Sequence, residues 1–546
     1  QKYRIDLNYK LLLTLNYIFL SPILYSMNIR QFLALLIFFP LLTFGQFENK
    51  KSYTISKCQI APKIDGILND NTWGNLDIAN EFTQSTPNNG IPERINQKTE
   101  VKICYDSKNI YFGIMMYDNA PDSILKELTK RDNLGNSDLF AIYINPFNDG
   151  QTEYLIAVTA SGIQVDAKQT ATLQDGSWNA VWKSSVKINE KGWVAELAIP
   201  FSQLRFPDNN KAWAINMIRT IKRYREDYTW SPINVEYSNI ALQAGLLQGI
   251  KDVNSPIRLS FMPYASVYSD IYDGETNLLY NYGMDLKYGI NESFTLDMTL
   301  IPDFGQVAAD DRVLNLSPFE VKYEEKRQFF NEGTELFNKG GDMFYSRRLQ
   351  DDLLNASKIT GRTKNGLGVA ILNAVTNQTE QDPLTNYNVM IFDQSFGNSS
   401  SVSLMNTHMV QKGNQKDANV TGIFTRINNK ENTHTYTSKL KMSQEFEGTN
   451  LTKGFAGMFA VENNNGNYRY KLFSILEDDK YNPNDLGFLY ANNEITNGID
   501  VGYEQLTKNK KFIFRKHYLF VRHKTLFTDN KFVNLEIEAE NKFMLN

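Results

Sequence analysis

Cysteine and histidine are scarce in this chain. Cys58 and Cys104 are the only cysteines among 546 residues, and no histidine precedes His408. One cysteine pair does not make a disulfide framework, so two alternatives stay open: a single disulfide, which export would permit, or two buried thiols. Without histidine before His408, a Ser-His-Asp triad or a histidine-based zinc site is excluded from that part.

A strong net charge and long apolar runs are also missing. The net charge of −4 provides no basic surface for nucleic acid, so we expect no nucleic-acid partner. After Gln46 no apolar run reaches the roughly 18 residues that a transmembrane helix requires. A membrane crossing in that part would therefore have to be a β-barrel.

The first residues have the character of a targeting sequence. Met27 and Arg30 precede the apolar run 32–44, which is too short to span a bilayer and typical of the h-region of a signal peptide. With Gly45 at a plausible cleavage point, residues 27–45 are predicted to be a signal peptide. The mature chain is then expected to begin at Gln46.

Residues 1–26 precede this second start, and we interpret them as non-native upstream sequence. The alternative is a helical membrane hairpin formed by residues 11–25 and 32–44. Asn16 and Pro22 interrupt the first of these segments, which makes the hairpin the weaker interpretation.

Residues 46–250 have the pattern of an all-β domain. Short apolar or alternating segments are separated by turn residues such as Asn, Asp, Gly and Pro. Three hairpins are predicted, in which the paired segments are 101–105 with 110–117, 139–144 with 153–159, and 181–188 with 193–199. Strands at this spacing, each with an apolar side, predict a β-sandwich.

Several motifs of this domain occur in one order over about two hundred residues. They are Ile64-Asp65-Gly66-Ile67 followed by Trp73, Tyr105-Asp106 before Tyr111-Phe112, Gly192-Trp193 with Glu196 and Ile199-Pro200-Phe201, and Trp213-Ala214-Ile215-Asn216 with Arg219. In these residues the domain resembles the family-nine carbohydrate-binding module. The resemblance implies a β-sandwich related to the sugar-binding modules of glycan-degrading enzymes.

Exposed indoles are the natural contacts for the apolar faces of sugar rings, with polar side chains nearby for the hydroxyls. Trp178 and Trp182 lie in a polar loop that leads into a strand, and they are the best stacking candidates. Trp230 and Arg219 complete the predicted carbohydrate-binding set, although Trp230 could equally seal the contact with the next domain. Three further tryptophans lie among aliphatic neighbours and are predicted to be core: Trp73, Trp193 and Trp213.

Catalysis and metal binding have only weak signals. A glycosidase needs two carboxylates that flank the scissile bond, and candidates exist in Asp138, Glu153, Asp166 and Glu196. A chain this rich in acids supplies such pairs by chance, so no catalytic residue is predicted. Calcium in the loop 145–149 is conceivable because its side chains offer oxygen ligands, but a simple turn is the preferred interpretation.

Residues 251–546 show alternation on the scale of a barrel strand. In Leu535-Glu536-Ile537-Glu538-Ala539-Glu540 the apolar side chains lie on one face and three glutamates on the other. Tyr436, Leu440, Met442 and Phe446 likewise share a face opposite Thr437, Lys439, Lys441 and Glu445. This pattern is typical of strands with lipid outside and water inside. We predict a transmembrane antiparallel β-barrel.

The segment 283–349 joins the two parts. Its motifs include Ile301-Pro302-Asp303-Phe304-Gly305-Gln306-Val307, Glu325-Lys326-Arg327-Gln328-Phe329-Phe330 and Phe344-Tyr345-Ser346-Arg347-Arg348. In these motifs the chain resembles the uncharacterised outer-membrane barrel family that follows a family-nine-like domain in Bacteroidota-type bacteria. Ile301 and Ala308 depart from that family's usual Asn and Glu, so one acid is missing, which weakens any metal or proton role for the segment.

Charges of both signs crowd this junction segment. Glu325, Lys326, Arg327, Arg347 and Arg348 are interpreted as a paired network that fixes a folded-in segment inside the barrel. The alternative is a glycan-contacting or active-site role. The chain ends within the alternating pattern, at Asn546, from which we expect that the barrel is truncated.

The sequence therefore predicts an exported outer-membrane protein whose sandwich binds carbohydrate at the cell envelope. Its expected partners are a glycan, outer-membrane lipid and other envelope proteins. Two alternatives stay open: a glycoside hydrolase component of carbohydrate catabolism, and a non-catalytic structural subunit of an outer-membrane assembly.

Overall fold

A computed structural model of the chain describes residues 4–10 and 50–545. Within that range it leaves out residues 171–173, 177, 207–211, 238, 254–257, 274, 292, 303–309, 311, 350–352, 364, 379–382, 398 and 414–415. The predicted signal peptide, 27–45, and the motif residues 303–309 lie outside the described residues. Of the predicted upstream sequence, residues 4–10 are described as a strand.

Strands make up most of the described chain. They are β1 Arg4–Lys10, β2 Ser52–Thr54, β3 Ser56–Lys57, β4 Thr83–Thr86, β5 Thr99–Tyr105, β6 Asn109–Tyr117, β7 Leu139–Asn145, β8 Thr152–Thr159, β9 Gln164–Thr170, β10 Gln174–Asp175, β11 Lys183–Asn189, β12 Gly192–Pro200, β13 Trp213–Ile221, β14 Glu226–Thr229, β15 Gly245–Gln248, β16 Leu259–Tyr272, β17 Glu275–Gly289, β18 Phe294–Leu300, β19 Leu353–Arg362, β20 Leu367–Thr376, β21 Thr385–Phe396, β22 Ser400–Gln411, β23 Lys416–Asn428, β24 His434–Glu447, β25 Asn450–Asn463, β26 Tyr468–Glu477, β27 Glu494–Gln505, β28 Phe512–Leu526 and β29 Phe532–Leu545.

Helices are few and short in the described part of the chain. The α-helices there are α1 Asn71–Gly74 and α2 Gln328–Asn331, and the 3₁₀ turns are Ile95–Gln97, Pro121–Ser123, Phe201–Gln203, Lys222–Tyr224, Ala241–Gln243, Phe337–Met343 and Ser346–Arg348. In the described part of the chain, no helix is both long and apolar enough to cross a membrane.

The first half of the chain forms the predicted β-sandwich. One sheet has the order β10-β9-β8-β7-β13-β14-β4, with β15 joined to β13 and β2, and the other has the order β11-β12-β6-β5-β3. The three predicted hairpins are present as the antiparallel pairs β5–β6, β7–β8 and β11–β12. β6 and β12 are buried along almost their whole length, which explains their continuous apolar sequences.

The core lies between the two sheets. Phe112 and Trp193 on one sheet and Phe140 and Trp213 on the other belong to one buried cluster, and each is at most 3% exposed. Alternate residues of each strand point to this cluster because successive side chains of a strand project to opposite faces. Trp73, Trp193 and Trp213 are buried, which confirms the prediction that they are core residues.

The second half of the chain forms one large antiparallel sheet. Strands β16 to β29 pair in sequence order, and β1 pairs with the outer edge of β29. The nearly all-β fold and the antiparallel sheet are as predicted. Among the described residues the sheet runs from β16 to β1 without pairing of these two ends, so closure into a barrel stays a prediction.

Residues 310 and 312–349, here called the inner segment, pack on one face of this sheet. Leu336 and Met343 are buried in a cluster with Leu372 and Ile391 of the strands. Charged contacts reinforce the packing, since Lys339 Nζ lies 2.6 Å from Asp393 Oδ1. Lys441 Nζ likewise lies 2.6 Å from Asp342 Oδ1.

The opposite face of the large sheet carries apolar side chains without cover from the described chain. Leu404, Ile423 and Leu440, on three neighbouring strands, are 46%, 48% and 49% exposed. The residues next to them point to the inner segment; Lys441, beside Leu440, is one of them. The outward side chains at these positions are therefore apolar, while the inward face combines charged side chains with apolar residues that pack on the inner segment.

Candidate functional site

Trp178 is the predicted sugar contact that keeps part of its surface open. It follows the short strand β10, is half-buried, and packs on the edge of the sandwich core. Its ring centroid lies 4.9 Å from that of Tyr154, with the two planes inclined at 55°. Such a tilted pair holds the indole at a fixed angle. Its role as a stacking surface stays a prediction.

Trp182 lies in the same loop but points inward. Its side chain is 5% exposed, and its Nε1 donates a hydrogen bond to Asp166 Oδ1 over 3.2 Å. The loop is built around that carboxylate, because Asp166 also accepts the backbone N–H of Ala180 at 2.7 Å and pairs with Arg131. This placement corrects the expectation that Trp182 is a sugar platform: it anchors the loop that carries Trp178.

Burial raises the pKa of Asp166, while the bonds from Ala180 and Trp182 and the charge of Arg131 act in the opposite direction. The carboxylate is therefore held by three donors at the cost of its solvation. The exposed end of the loop depends on this buried acid.

Trp230 and Arg219 are also interior residues. Trp230 is 3% exposed and belongs to the main core cluster. Arg219 is 1% exposed, and its guanidinium donates to the backbone carbonyls of Gln97 (2.7 Å), Lys98 (3.0 Å) and Tyr117 (2.7 Å). Neither side chain has surface to offer a ligand, which corrects the predicted sugar contacts and assigns both a structural role.

Burial lowers the pKa of Arg219 to about 10, although Asp118, Asp138 and Glu93 oppose the shift. The guanidinium is thus still charged at neutral pH. Through these hydrogen bonds it joins the segment around Gln97 to β6.

The carboxylates considered for catalysis are buried and serve the fold. Glu196 has no exposed surface, and its Oε2 accepts the backbone N–H groups of Asp65 (2.8 Å) and Gly66 (2.7 Å). Its Oε1 accepts the indole N–H of Trp73 at 2.9 Å. Gly66 has φ +83°, a conformation that favours glycine and lets the loop wrap around the carboxylate.

The other three acids are similarly enclosed. Asp138 is 0%, Asp166 1% and Glu153 7% exposed. Asp138 accepts the backbone N–H of Lys222 at 3.0 Å. Asp138 and Asp166 stabilise loops and strand ends, and the burial of all three acids does not match the open cleft that glycoside hydrolysis requires.

The loop considered for calcium satisfies its own polar groups. Asn145 Oδ1 accepts the backbone N–H groups of Phe147 and Asn148 at 3.1 and 3.0 Å, and Asn145 Nδ2 donates to Asp149 Oδ1 at 3.0 Å. This is the hydrogen bonding of an Asx turn. Over the described residues no group of three or more His, Cys, Asp or Glu is placed to hold a metal. Calcium here stays a prediction.

A seam joins the sandwich to the second half of the chain. Lys168 Nζ on β9 lies 3.5 Å from Glu335 Oε1 of the inner segment. Arg205 Nη2 donates to Thr360 Oγ1 on β19 at 3.1 Å, and Ser399 Oγ donates to the carbonyl of Gly150 at 3.2 Å. Polar side chains from both halves thus meet within one region.

A cavity of about 50 Å³ lies in this seam. Tyr154, Lys168 and Arg205 line it from the sandwich, and Glu335 and Arg362 from the other side. Tyr154 also carries the ring on which Trp178 packs. The partly open tryptophan and the seam cavity are therefore separated by one aromatic side chain, a proximity that sequence reasoning missed because the residues come from distant parts of the chain.

The predicted charged residues of the junction segment are ion-paired. Arg327 Nη2 lies 2.7 Å from Glu325 Oε2, and its guanidinium also donates to the carbonyls of Ser346 and Leu349. Arg348 pairs with Glu320 at 2.7 Å. Arg347 and Lys326 share Asp310. The network joins the two ends of the inner segment, as expected of a segment that is folded in.

Comparisons with known proteins define the two halves. Residues 64–227 match the family model described as carbohydrate family 9 binding domain-like. Residues 255–352 and 350–546 match the family described as domain of unknown function DUF5916. The chain is thus a two-part, nearly all-β protein with a family-9-like sandwich. Because the second match spans just over half of it, the chain belongs to the DUF5916 family.

Solved structures resemble the chain at low sequence identity. A family 9 carbohydrate-binding module from Caldicellulosiruptor kristjanssonii in complex with cellotriose is 14% identical, covering 37% of this chain and 96% of its own length, with a TM-score of 0.28. Pseudomonas aeruginosa OccK5 (OpdH) is 9% identical, covering 75% and 96%, with a TM-score of 0.23. Acinetobacter baumannii OccAB2 is 8% identical, covering 75% and 96%, with a TM-score of 0.23. No curated protein matches the chain.

Proposed function

We propose that this protein binds carbohydrate at the cell envelope, with Trp178 as its stacking surface and the large sheet as its anchor in the outer membrane. The family-9 match over residues 64–227 supports carbohydrate as the ligand class. The observation that carries the proposal is the position of Trp178, which is partly exposed and packs on Tyr154, a residue that also lines the seam cavity.

A braced indole suits a sugar because it offers a flat apolar face at little entropic cost. The surrounding loop is fixed by Asp166, so the ring is held in place before a ligand arrives. Preorganisation of this kind allows a weak stacking contact to appear as measurable affinity.

The pattern of the large sheet supports the membrane anchor. Its strands β21 to β25 are 12 to 14 residues long, more than the roughly 9–11 that a tilted strand needs to cross a bilayer. Apolar side chains such as Leu404 and Leu440 are exposed on its outer face. An apolar outer face is what an outer-membrane barrel presents to lipid, and the ion pairs of the inner face suit an interior that lipid does not reach.

Binding is tested on the full chain in detergent micelles by calorimetric titration with cellotriose, xylotriose, mannotriose and peptidoglycan fragments. We expect at least one to bind, and Trp178→Ala to weaken that binding about tenfold or more, roughly 1.4 kcal/mol. Tyr224→Ala is the matched control, because Tyr224 is a surface aromatic, 41% exposed, that packs against Arg94 and Arg223.

Failure of every glycan to bind would reject carbohydrate recognition and favour the assembly-subunit alternative. Equal binding by the wild type and Trp178→Ala would reject the assigned surface. The anchor is tested separately, by fractionation of cell membranes. Recovery of the full chain outside the outer-membrane fraction would reject it.

A further inference from the structure

The large sheet has two ends, and each end carries its own set of connections between strands. Because β16 to β29 pair antiparallel in sequence order, successive connections alternate between the two ends. One end, here called the seam end, carries the connections 290–293, 363–366, 397–399, 429–433, 464–467 and 506–511. The other, here called the far end, carries 273–274, 301–352, 377–384, 412–415, 448–449, 478–493 and 527–531.

The sandwich contacts the sheet at the seam end. Thr360 and Ser399, which bond with the sandwich across the seam, lie near the end of β19 and directly before β22. Farther along the sheet, Arg469 Nη2 and the backbone N–H of Lys508 donate to backbone carbonyls of the sandwich over 2.5 and 3.1 Å. These contacts extend from β19 to the connection that precedes β28, so the sandwich lies across the seam end.

The connections of the seam end are uniformly short. Between the described strands, those at the seam end span three to six residues, whereas every longer one lies at the far end, namely 301–352, 377–384 and 478–493. Outer-membrane barrels have short turns on the periplasmic side and longer loops outside the cell. If the large sheet is anchored in the outer membrane, the seam end is therefore its periplasmic end.

The two longest connections of the far end fold back over the inner face of the sheet. The backbone N–H of Tyr345 in the inner segment donates to the carbonyl of Leu486 at 2.7 Å, and that of Phe488 donates to the carbonyl of Asp342 at 2.8 Å. Leu486 is also buried in the cluster against the strands. These segments occupy part of the space through which a glycan outside the cell would have to reach the sandwich.

We propose that the sandwich binds its carbohydrate in the periplasm, so that its ligands are glycans of that compartment and not polysaccharides outside the cell. This inference rests on the proposed function and deepens it, since it names the compartment from which the ligand comes. An exported chain reaches the outer membrane from the periplasm. A sandwich at the periplasmic end therefore never has to carry its polar surface across the lipid, where each unsatisfied polar group costs free energy.

The test places single cysteines at exposed positions of the full chain, in cells that contain it in their outer membrane. Lys480→Cys and Thr528→Cys mark the far end, Lys510→Cys marks the seam end, and Ile95→Cys marks the sandwich. A maleimide joined to a polyethylene glycol chain too large to pass the outer membrane is added to intact cells and to cells whose outer membrane has been permeabilised. Each attachment is measured as a shift in electrophoretic mobility.

We expect Lys480→Cys and Thr528→Cys to shift in both preparations, because the far end lies outside the cell. Lys510→Cys and Ile95→Cys should shift only after permeabilisation. The wild type is the matched control, since Cys104 is buried and Cys58 half-buried, and it gives the background from these two thiols. Each side of the membrane has two positions, so a variant that fails to fold leaves the other to decide.

The outcomes separate this inference from the proposed function. A shift of Ile95→Cys or Lys510→Cys in intact cells would overturn the inference and place the sandwich outside the cell. Absence of far-end labelling in intact cells would also overturn it, and recovery of the chain outside the outer-membrane fraction would then show that the anchor itself has failed. Labelling requires no sugar, so a failure of carbohydrate recognition appears only in the calorimetric titration.

Discussion

The sandwich and the large sheet use the same strand alternation for opposite surroundings. In the sandwich the apolar residues, such as Phe112 and Trp193, point between two sheets and are wholly buried. In the large sheet, apolar residues such as Ile423 and Leu440 are exposed on the outer face, and the inner face combines lysines and acids with apolar residues that pack on the inner segment. The comparison teaches that period-two patterning fixes which residues share a face, whereas the packing partner decides which face is the inside.

The two halves also neutralise buried charge differently. In the sandwich, Glu196 and Arg219 are bonded mostly to backbone groups of neighbouring loops. In the large sheet, Asp393 and Lys441 are bonded to side chains of the inner segment. Glu196 and Arg219 therefore hold loops of the sandwich in shape, whereas Asp393 and Lys441 hold the inner segment on the large sheet.

The largest effect is expected from Glu196→Ala. Removing this carboxylate leaves the N–H groups of Asp65, Gly66 and Trp73 without an acceptor, at a cost of about 3 kcal/mol or more. The thermal midpoint of the sandwich should fall by about 10 °C. Fluorescence measures this selectively, since all six tryptophans lie in the sandwich. Glu190→Ala, at an exposed turn, is the control, and an equal midpoint in both variants would contradict the prediction.

The second prediction compares how the outer face of the large sheet and the surface of the sandwich tolerate a new charge. Leu440→Lys places a charge on the outer face of β24, and if that face meets lipid, stability should fall by about 2–4 kcal/mol. Ile95→Lys alters a side chain of the sandwich that is 82% exposed, and should change stability by about 0.5 kcal/mol or less. The stability of the Leu440→Lys variant is measured after folding in detergent or in lipid bilayers, from the temperature at which its electrophoretic mobility changes. Equal tolerance of both substitutions in bilayers would count against a lipid-facing sheet.

The third prediction concerns pH and the sandwich. Burial raises the pKa of Glu153 to about 7, from 4.5, so the folded state retains a proton that the unfolded state loses between those values. Stability should therefore fall as pH rises from about 4.5 to 7 and level off above, by up to roughly 3 kcal/mol. Glu153→Gln should make stability depend less steeply on pH. A part of the dependence should remain, because burial also raises the pKa of Glu93 to about 7.

Thermal midpoints of the two proteins between pH 4 and 8.5 provide the measurement. The difference between them should be near zero at the acid end and largest above pH 7. Parallel curves would show that Glu153 does not titrate as its burial implies.

The smallest effect concerns the cysteines, which the structure places together as free thiols. Burial raises the pKa of both Cys58 and Cys104, so few thiolates exist at neutral pH. A thiol reagent should react slowly with the native protein and rapidly with two groups after unfolding. Absence of reactive thiols in the unfolded, unreduced protein would establish the disulfide alternative instead.

Much of the fold could be predicted from the sequence because it depends on local pattern. Turn residues and alternation indicated the hairpins, and the switch to long strands with apolar outer residues marked the second half. The interior roles of Trp182, Trp230 and Arg219 could not be predicted, since a tryptophan or arginine beside polar residues looks the same whether its partners are water or distant carbonyls. Glu335 was missed for a related reason: its neighbours Lys168 and Arg205 are far from it in sequence.

Strand β9 contacts both the loop of Trp178 and the inner segment, through residues that are two positions apart. Asp166 holds the loop of Trp178, and Lys168 holds Glu335 of the inner segment. The two side chains project from the same face of one extended strand, about 6–7 Å apart, and such a strand has little slack along its length. Asp166 and Lys168 therefore set the distance between the tryptophan loop and the inner segment, because two residues of one extended strand keep a nearly constant separation.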